Sequence, residues 1–203
     1  MTAPPLISTE IYDRFAALPT ANIGDAMDRL CVLGGGIRPV YPKARLVGPA
    51  FTVLVPAGDN KAIHDAVATA PAGAVIVVNG QGYRDRALIG ELIAGRAIAR
   101  GIAGFVIDGA IRDVEELETL GFPVYARAVT PAGPYRNGPG LLQRPVAVGG
   151  VVVSPGDVIV GDADGVVAVS RDDVEAILKR AEEKQRAESA QRAETPRLYA
   201  ADN

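Results

Sequence analysis

Four short apolar runs rich in Val and Ile, at residues 46–55, 74–78, 105–107 and 124–128, alternate with stretches of helical spacing, and that alternation restricts the fold most. A strand apolar on both faces must be covered on both sides, and a chain that leaves each strand through a helix returns parallel to it. The intervening segments supply the helices. Ile63 and Val67 share a face within residues 60–70, as do Leu88, Leu92, Ile93 and Ala97 within 86–100. Residues 114–120 form a third crossover, stopped by Gly121 and Pro123.

Before this block, Ile7, Ile11, Phe15 and Leu18 recur at helical spacing up to Pro19, and residues 20–30 predict a second short helix. Gly34, Gly35 and Gly36 are not followed by the Lys and hydroxyl residue of a phosphate loop, so they read as a turn. Residues 130–145 are dense in Pro and Gly, which predicts an irregular segment wrapping an edge or lining a site. Short Val-rich runs at 146–148, 151–153, 158–160 and 166–169 are separated by turn residues and read as antiparallel. Ser170 opens a capping box for a last helix with the buried stripe Val174, Ile177, Leu178 and Ala181. Past Glu182 that stripe fades into polar residues. The expected class is α/β: a parallel central sheet with crossover helices plus a short-stranded antiparallel part, in one domain of 203 residues with its C-terminal helix starting near residue 170.

Net charge is -3, which offers no basic surplus for a phosphate backbone, so no nucleic-acid partner is expected. Cys31 stands alone, which excludes an internal disulfide and a cysteine-based zinc site within one chain. No secretion signal is read in residues 1–9 and no stretch is long enough to span a bilayer, so a cytoplasmic setting and no membrane partner are expected.

The chemistry gathers in residues 104–113, where an apolar run ends in a glycine turn and delivers Arg112 and Asp113 together to one sheet edge. Arg can grip a carboxylate through two parallel hydrogen bonds, and Asp can hold a hard divalent metal that polarises a neighbouring carbonyl. That pairing suits 2-oxo acid chemistry. A surface ion pair at a helix start is the plainer alternative. The glycine-rich loop at residues 79–83, continuing to Gly90-Glu91-Leu92-Ile93, is where the other half of the site is expected, with backbone amides free to bind an anion, although the loop taken by itself reads as a tight strand-to-helix turn with no ligand. Its spacing does not match a dinucleotide fingerprint. His64, the sole histidine, lies on a predicted helix far from Arg112 in sequence and reads as structural. Asp162 and Asp164 lack the frame of a calcium loop and read as turn residues. Arg84-Asp85-Arg86 reads either as an ion-pair cluster at the rim or as a helix cap.

Residues 60–64, 75–82, 90–93, 104–113 with Glu116, and 161–166 resemble the RraA-like family, which contains class II pyruvate aldolases and protein regulators of ribonuclease E. The likeness spans roughly residues 20–170, and the Arg-Asp pair is its most specific element. It implies a swivelling β/β/α fold in homotrimeric or homohexameric rings with sites between subunits. It further implies that Arg112 binds the pyruvate carboxylate and that Asp113 supports Mg2+ or Mn2+. Gly90 and the amides of Leu92 and Ile93 complete the cradle in this reading, and Glu91 orders the water around the metal. Asp is the residue associated with that last role in the characterised aldolases, and this chain has Glu. An acid from a neighbouring subunit's C-terminal segment is also implied, with Glu188 one candidate.

The expected activity is metal-dependent cleavage of 4-hydroxy-4-methyl-2-oxoglutarate, or a related 4-hydroxy-2-oxo diacid, to pyruvate and a second 2-oxo acid, accompanied by oxaloacetate decarboxylation. A metal sink for the developing enolate charge removes the need for a lysine Schiff base, and no lysine lies in residues 90–93 or 104–113. The rival is a non-catalytic regulator of ribonuclease E, against which Asp113 counts. A methyl transferase comes last, because no loop for the methyl donor is found.

Overall fold

The computed structural model describes residues 7–194. Helices α1 (Thr9–Ala16) and α2 (Thr20–Ala26) lead into strands β1 (Arg38–Pro39) and β2 (Leu46–Leu54). Strands and helices then alternate through α3 (Lys61–Thr69), β3 (Val75–Asn79), β4 (Ala87–Ile89), α4 (Glu91–Ala99), β5 (Gly104–Ile111), α5 (Val114–Thr119) and β6 (Val124–Val129). Short strands β7 (Leu141–Leu142), β8 (Val146–Val148), β9 (Val151–Val153), β10 (Val158–Asp162) and β11 (Gly165–Val169) precede α6 (Val174–Glu194).

One sheet runs β1-β6-β5-β3-β2-β10-β11, with β4 beside β5 and β7 beside β2. Its centre, β2-β3-β5-β6, is parallel, while β10 and β11 join antiparallel, and β8 and β9 form a separate hairpin. The sheet curls until its ends meet. The Leu33 N–H donates to the Val166 carbonyl at 3.0 Å, and the Arg38 guanidinium donates to the Asp164 carbonyl at 2.8 Å.

Three apolar clusters follow from this wrapping. One lies between the parallel strands and α3, α4 and α5, and includes Ile63, Ile76, Phe105, Ile107 and Leu117. A second fills the inner side of the curled sheet under the β8-β9 hairpin, with Tyr125, Val106 and Ile159. In the third, Val174, Ile177, Leu178 and Ala181 of α6 meet Phe15, Leu18 and Ile23 over β10 and β11. Each such side chain, fully buried, contributes about 1.5–3 kcal/mol relative to exposure. The stripe on α6 is the one its spacing predicts.

Three elements differ from their sequence patterns. Residues 86–100 do not form one helix: Ala87, Leu88 and Ile89 are buried on both faces and pair with β5, and α4 starts only at Glu91. An apolar triplet carries no period, so the pattern extends the helix backwards over a strand. β5 runs through Gly109 to Ile111, beyond the expected end at residue 107, with a register irregularity against β6 between Ile107 and Ala110. α2 stops at Ala26 because Asp28 and Arg29 both take positive φ, 55° and 66°. The reading of residues 1–9 falls mostly outside the described residues.

Candidate active site

Strands β4 and β5 are parallel neighbours, so they release Gly90 and Arg112 at the same sheet edge. The Arg112 N–H donates to the Ile89 carbonyl at 3.1 Å, which ties the two exits together. Asp113 then takes the left-handed conformation, φ 61° and ψ 47°, which costs a non-glycine residue about 1 kcal/mol. This backbone turn aims its carboxylate back at α4. Asp113 Oδ2 accepts the Glu91 N–H at 3.0 Å, so it caps the N-terminus of α4, while α5 has no side-chain cap of its own.

Arg112 Nε stands 3.5 Å from Asp113 Oδ2, close enough for an ion pair but longer than a good hydrogen bond. Their side chains are 41% and 34% exposed, so the pair is open to a ligand and contributes little to stability. Gly90 makes the arrangement possible: a Cβ there would overlap Asp113 Oδ2 and come within 2.9 Å of Arg112 Cγ.

In the first turn of α4, the Glu91 N–H is taken by Asp113 and the Ile93 N–H by the Gly90 carbonyl at 3.2 Å. No partner for the Leu92 N–H occurs among the described residues, and its side chain is 66% exposed. Of the two amides that the family resemblance assigns to the cradle, Leu92 is therefore the one without an acceptor. Glu91 is half-buried at the same helix start.

The loop at residues 79–83 takes the plainer of its two readings, a tight turn. Its amides are spent internally: Gln81 N–H on Asn79 Oδ1 at 2.8 Å, Gly82 N–H on the Asp108 carbonyl at 3.0 Å, and Tyr83 N–H on the Gly80 carbonyl at 3.2 Å. Close packing of loop on strand, not anion binding, uses these glycines. Among the described residues Arg86 forms no ion pair and caps no helix: it stacks 4.0 Å from the Tyr135 ring centroid and donates to the Tyr135 hydroxyl and the Gly133 carbonyl, both at 2.8 Å. Asp162 accepts the Thr20 and Asp164 N–H groups, at 2.9 Å each, as a turn residue should. Glu188 is engaged within its own chain, accepting from Asn22 and Arg192 at 3.1 Å each.

Arg112 opens into a cavity of about 160 Å³ whose wall also includes Asn60, His64, Arg96 and Arg136. Sequence reasoning missed these four as a group. His64 and Asn60 sit on and before α3, which follows β2, and the parallel order β2-β3-β5 carries that helix over to the Arg112 edge. Burial, reinforced by Arg136 and Arg96, pushes the His64 pKa down, so the neutral imidazole is favoured. Asn60 is 4% exposed; its Nδ2 donates to the Leu88 carbonyl at 3.1 Å, and its Oδ1 has no hydrogen-bond partner among the described residues.

Among the described residues no cluster of three or more His, Cys, Asp or Glu is placed to hold a metal. A zinc-type cage needs such a set. Asp113, with Glu91 next to it, still fits Mg2+ or Mn2+, because such ions accept one carboxylate with water and substrate oxygens completing the shell.

Residues 20–168 of this curled, mostly parallel fold match the RraA-like (Aldolase/RraA) family model. The chain belongs to the RraA-like family. It is 42% identical over 176 residues to a Halalkalibacterium halodurans protein provisionally named 4-hydroxy-4-methyl-2-oxoglutarate aldolase, covering 87% of this chain and 84% of that one. An uncharacterised protein from Pseudomonas syringae superposes with a TM-score of 0.82 at 29% identity, covering 93% of this chain and 89% of the other. The RNA-processing inhibitor RraA of Thermus thermophilis superposes with a TM-score of 0.68 at 32% identity, covering 74% and 92%.

Proposed function

We propose that this protein is a divalent-metal-dependent aldolase that cleaves 4-hydroxy-4-methyl-2-oxoglutarate, or a related 4-hydroxy-2-oxo diacid, to pyruvate and a second 2-oxo acid. The observation that carries the reading is the open Arg112-Asp113 pair at the α4 N-terminus, with Arg112 on the wall of a cavity. The similarity to a protein provisionally named as such an aldolase supports it.

In this reading Arg112 takes the substrate's C1 carboxylate through two nitrogen donors, and the Leu92 N–H adds a third donor from the helix start. Asp113 is the residue that would hold Mg2+ or Mn2+, which supplies polarisation of the 2-oxo group. The C3–C4 bond breaks as the 4-hydroxyl loses its proton and becomes the carbonyl of the second product, and the released electron pair moves toward the 2-oxo group of the nascent pyruvate. Glu91, whose own amide fixes Asp113, guides that proton away. Loss of C4 as carbon dioxide releases the same electron pair, so oxaloacetate decarboxylation belongs to the same proposal. A homotrimeric or homohexameric assembly in the cytoplasm, with sites at subunit interfaces, is part of it too.

A second reading, a regulator of ribonuclease E, draws on the likeness to the Thermus RNA-processing inhibitor. One experiment separates them: pyruvate release from a panel of 4-hydroxy-2-oxo diacids and oxaloacetate, coupled to lactate dehydrogenase, with Mg2+ or Mn2+ and with chelator. Metal-dependent pyruvate is the expected result. No pyruvate from any of these substrates with either ion overturns the aldolase reading.

A further inference from the structure

Little in its own neighbourhood fixes the guanidinium of Arg112. Among the described residues it donates no hydrogen bond, and its one ion pair is the 3.5 Å approach to Asp113. An unheld arginine surrenders rotamer freedom when it grips a planar carboxylate with two donors, and that loss weakens the grip. Two glycines close in on it instead. A Cβ at Gly90 would lie 3.1 Å from Arg112 Nε, and one at Gly133 would lie 3.4 Å from Arg112 Nη1. Gly90 is fixed between β4 and α4, whereas Gly133 belongs to the irregular segment after β6 and has to be brought there.

Arg86, one residue before β4, does this. Its guanidinium donates to the Gly133 carbonyl and to the Tyr135 hydroxyl, both at 2.8 Å, with Cζ 4.0 Å from the centre of the Tyr135 ring. The backbone secures the residues on either side: the Ala87 N–H donates to the Ala132 carbonyl, and the Tyr135 N–H to the Gly58 carbonyl, each at 2.8 Å. Gly133 has no such bond. Among the described residues the only hydrogen bond it makes is the charge-assisted one from Arg86. The stem of Arg86 is confined in its turn, since Gly58, at φ 72°, packs so closely that a Cβ there would meet Arg86 Cδ at 3.0 Å. The residue that touches Arg112 therefore depends on a side chain that is itself wedged in place.

We propose that Arg86 is a positioning residue for the carboxylate grip: by holding Gly133 beside Arg112 Nη1, it confines the Arg112 guanidinium to the orientation that receives the substrate's C1 carboxylate. This role deepens the aldolase reading and rests on it. Arg86 itself touches no substrate. The C1 carboxylate is not altered by bond cleavage, so its grip is alike in the bound substrate and in the transition state, and a loosened Arg112 raises KM while sparing kcat.

The test uses Arg86→Met, which keeps a stem against Gly58 and removes the donors, Tyr135→Phe, which keeps the ring and removes the acceptor, and the double variant. Each is assayed for pyruvate release from 4-hydroxy-4-methyl-2-oxoglutarate with Mg2+. KM should rise about 10-fold in Arg86→Met and about 3-fold in Tyr135→Phe, with kcat within about 2-fold of wild type. The double variant should match Arg86→Met, because the hydroxyl acts through Arg86. Unchanged KM in both single variants overturns the role, as does a loss confined to kcat or a Tyr135→Phe penalty undiminished in the Arg86→Met background. Calorimetric titration with pyruvate and Mg2+ asks the same question without turnover. Arg86→Met should bind about 10-fold more weakly than the wild type, and equal or absent affinity in both proteins overturns the role. A wild type that binds pyruvate more tightly than Arg86→Met yet releases none from any substrate removes the aldolase reading alone.

Discussion

Strand β5 and the turn that follows it carry two aspartates that each meet an arginine, and the two pairs are used in opposite ways. Asp108, inside the strand, is 7% exposed and fully occupied: one oxygen takes Arg127 Nε and the other takes the Gly149 N–H at 2.8 Å. Asp113, just past the strand end, gives one oxygen to the Glu91 N–H and leaves Arg112 at 3.5 Å. Identical residue types thus form a closed joint at one position and an open pair at the other. The difference lies in what remains for a ligand. Asp108 fastens the β8-β9 hairpin to the sheet with both oxygens engaged, whereas Asp113 keeps one oxygen outside its bond to Glu91 and Arg112 keeps donors turned toward a cavity.

The contrast breaks most sharply at Arg112. Arg112→Ala should lower kcat/KM for pyruvate release by about 10²–10³-fold with an almost unshifted melting temperature, because an exposed pair adds little to folding. Near-normal turnover would remove Arg112 from the site. Asp108→Ala should do the reverse: stability in chemical denaturation drops by about 3 kcal/mol, since an enclosed Arg127 and the Gly149 N–H lose their partner together, while kcat/KM in the surviving folded fraction changes little. Equal loss of activity per folded molecule in both variants would erase the distinction.

His64 gives a smaller and pH-dependent effect. Burial first, then Arg136 and Arg96, holds its folded pKa below the unfolded value of about 6.5, so the unfolded chain takes up a proton first as pH falls. This group's contribution is therefore intact above about pH 6.5 and is lost as pH drops toward the folded pKa. His64→Gln should flatten the melting temperature profile between about pH 7.5 and 5, and an unchanged slope would show that the imidazole is not the titrating group.

How much of the molecule is legible along the chain follows from the range of the interactions. Arg112, Asp113, Gly90 and Glu91 sit at the ends of neighbouring parallel strands, so a strand-turn-helix pattern is enough to place them at one edge. Arg96 and Arg136 carry no such signal. An arginine that lines a cavity looks the same in sequence as one on a solvated face, and the hydrogen bonds of Asp59, Gly58 and Asn60 to residues 135–138 hold the segment that brings Arg136 to the cavity. Residues 79–83 leave two readings open for a related reason. Closely spaced glycines record that the backbone comes near something, and here that something is strand β5. The misread β4 shows the limit of periodicity, since Ala87-Leu88-Ile89 is too short to distinguish a period of two from one of 3.6.

The left-handed turn at Asp113 also decides how its carboxylate can be interrogated. Few side chains tolerate φ 61° and ψ 47°, and asparagine is one of them, so Asp113→Asn removes the charge while preserving the backbone path and an oxygen for the Glu91 N–H. Alanine would relax the turn and uncap α4 at once, mixing two injuries. The asparagine variant should therefore keep the wild-type fold by circular dichroism yet lose metal-stimulated turnover, and wild-type stimulation by Mg2+ in that variant would show that the negative charge at this corner is dispensable.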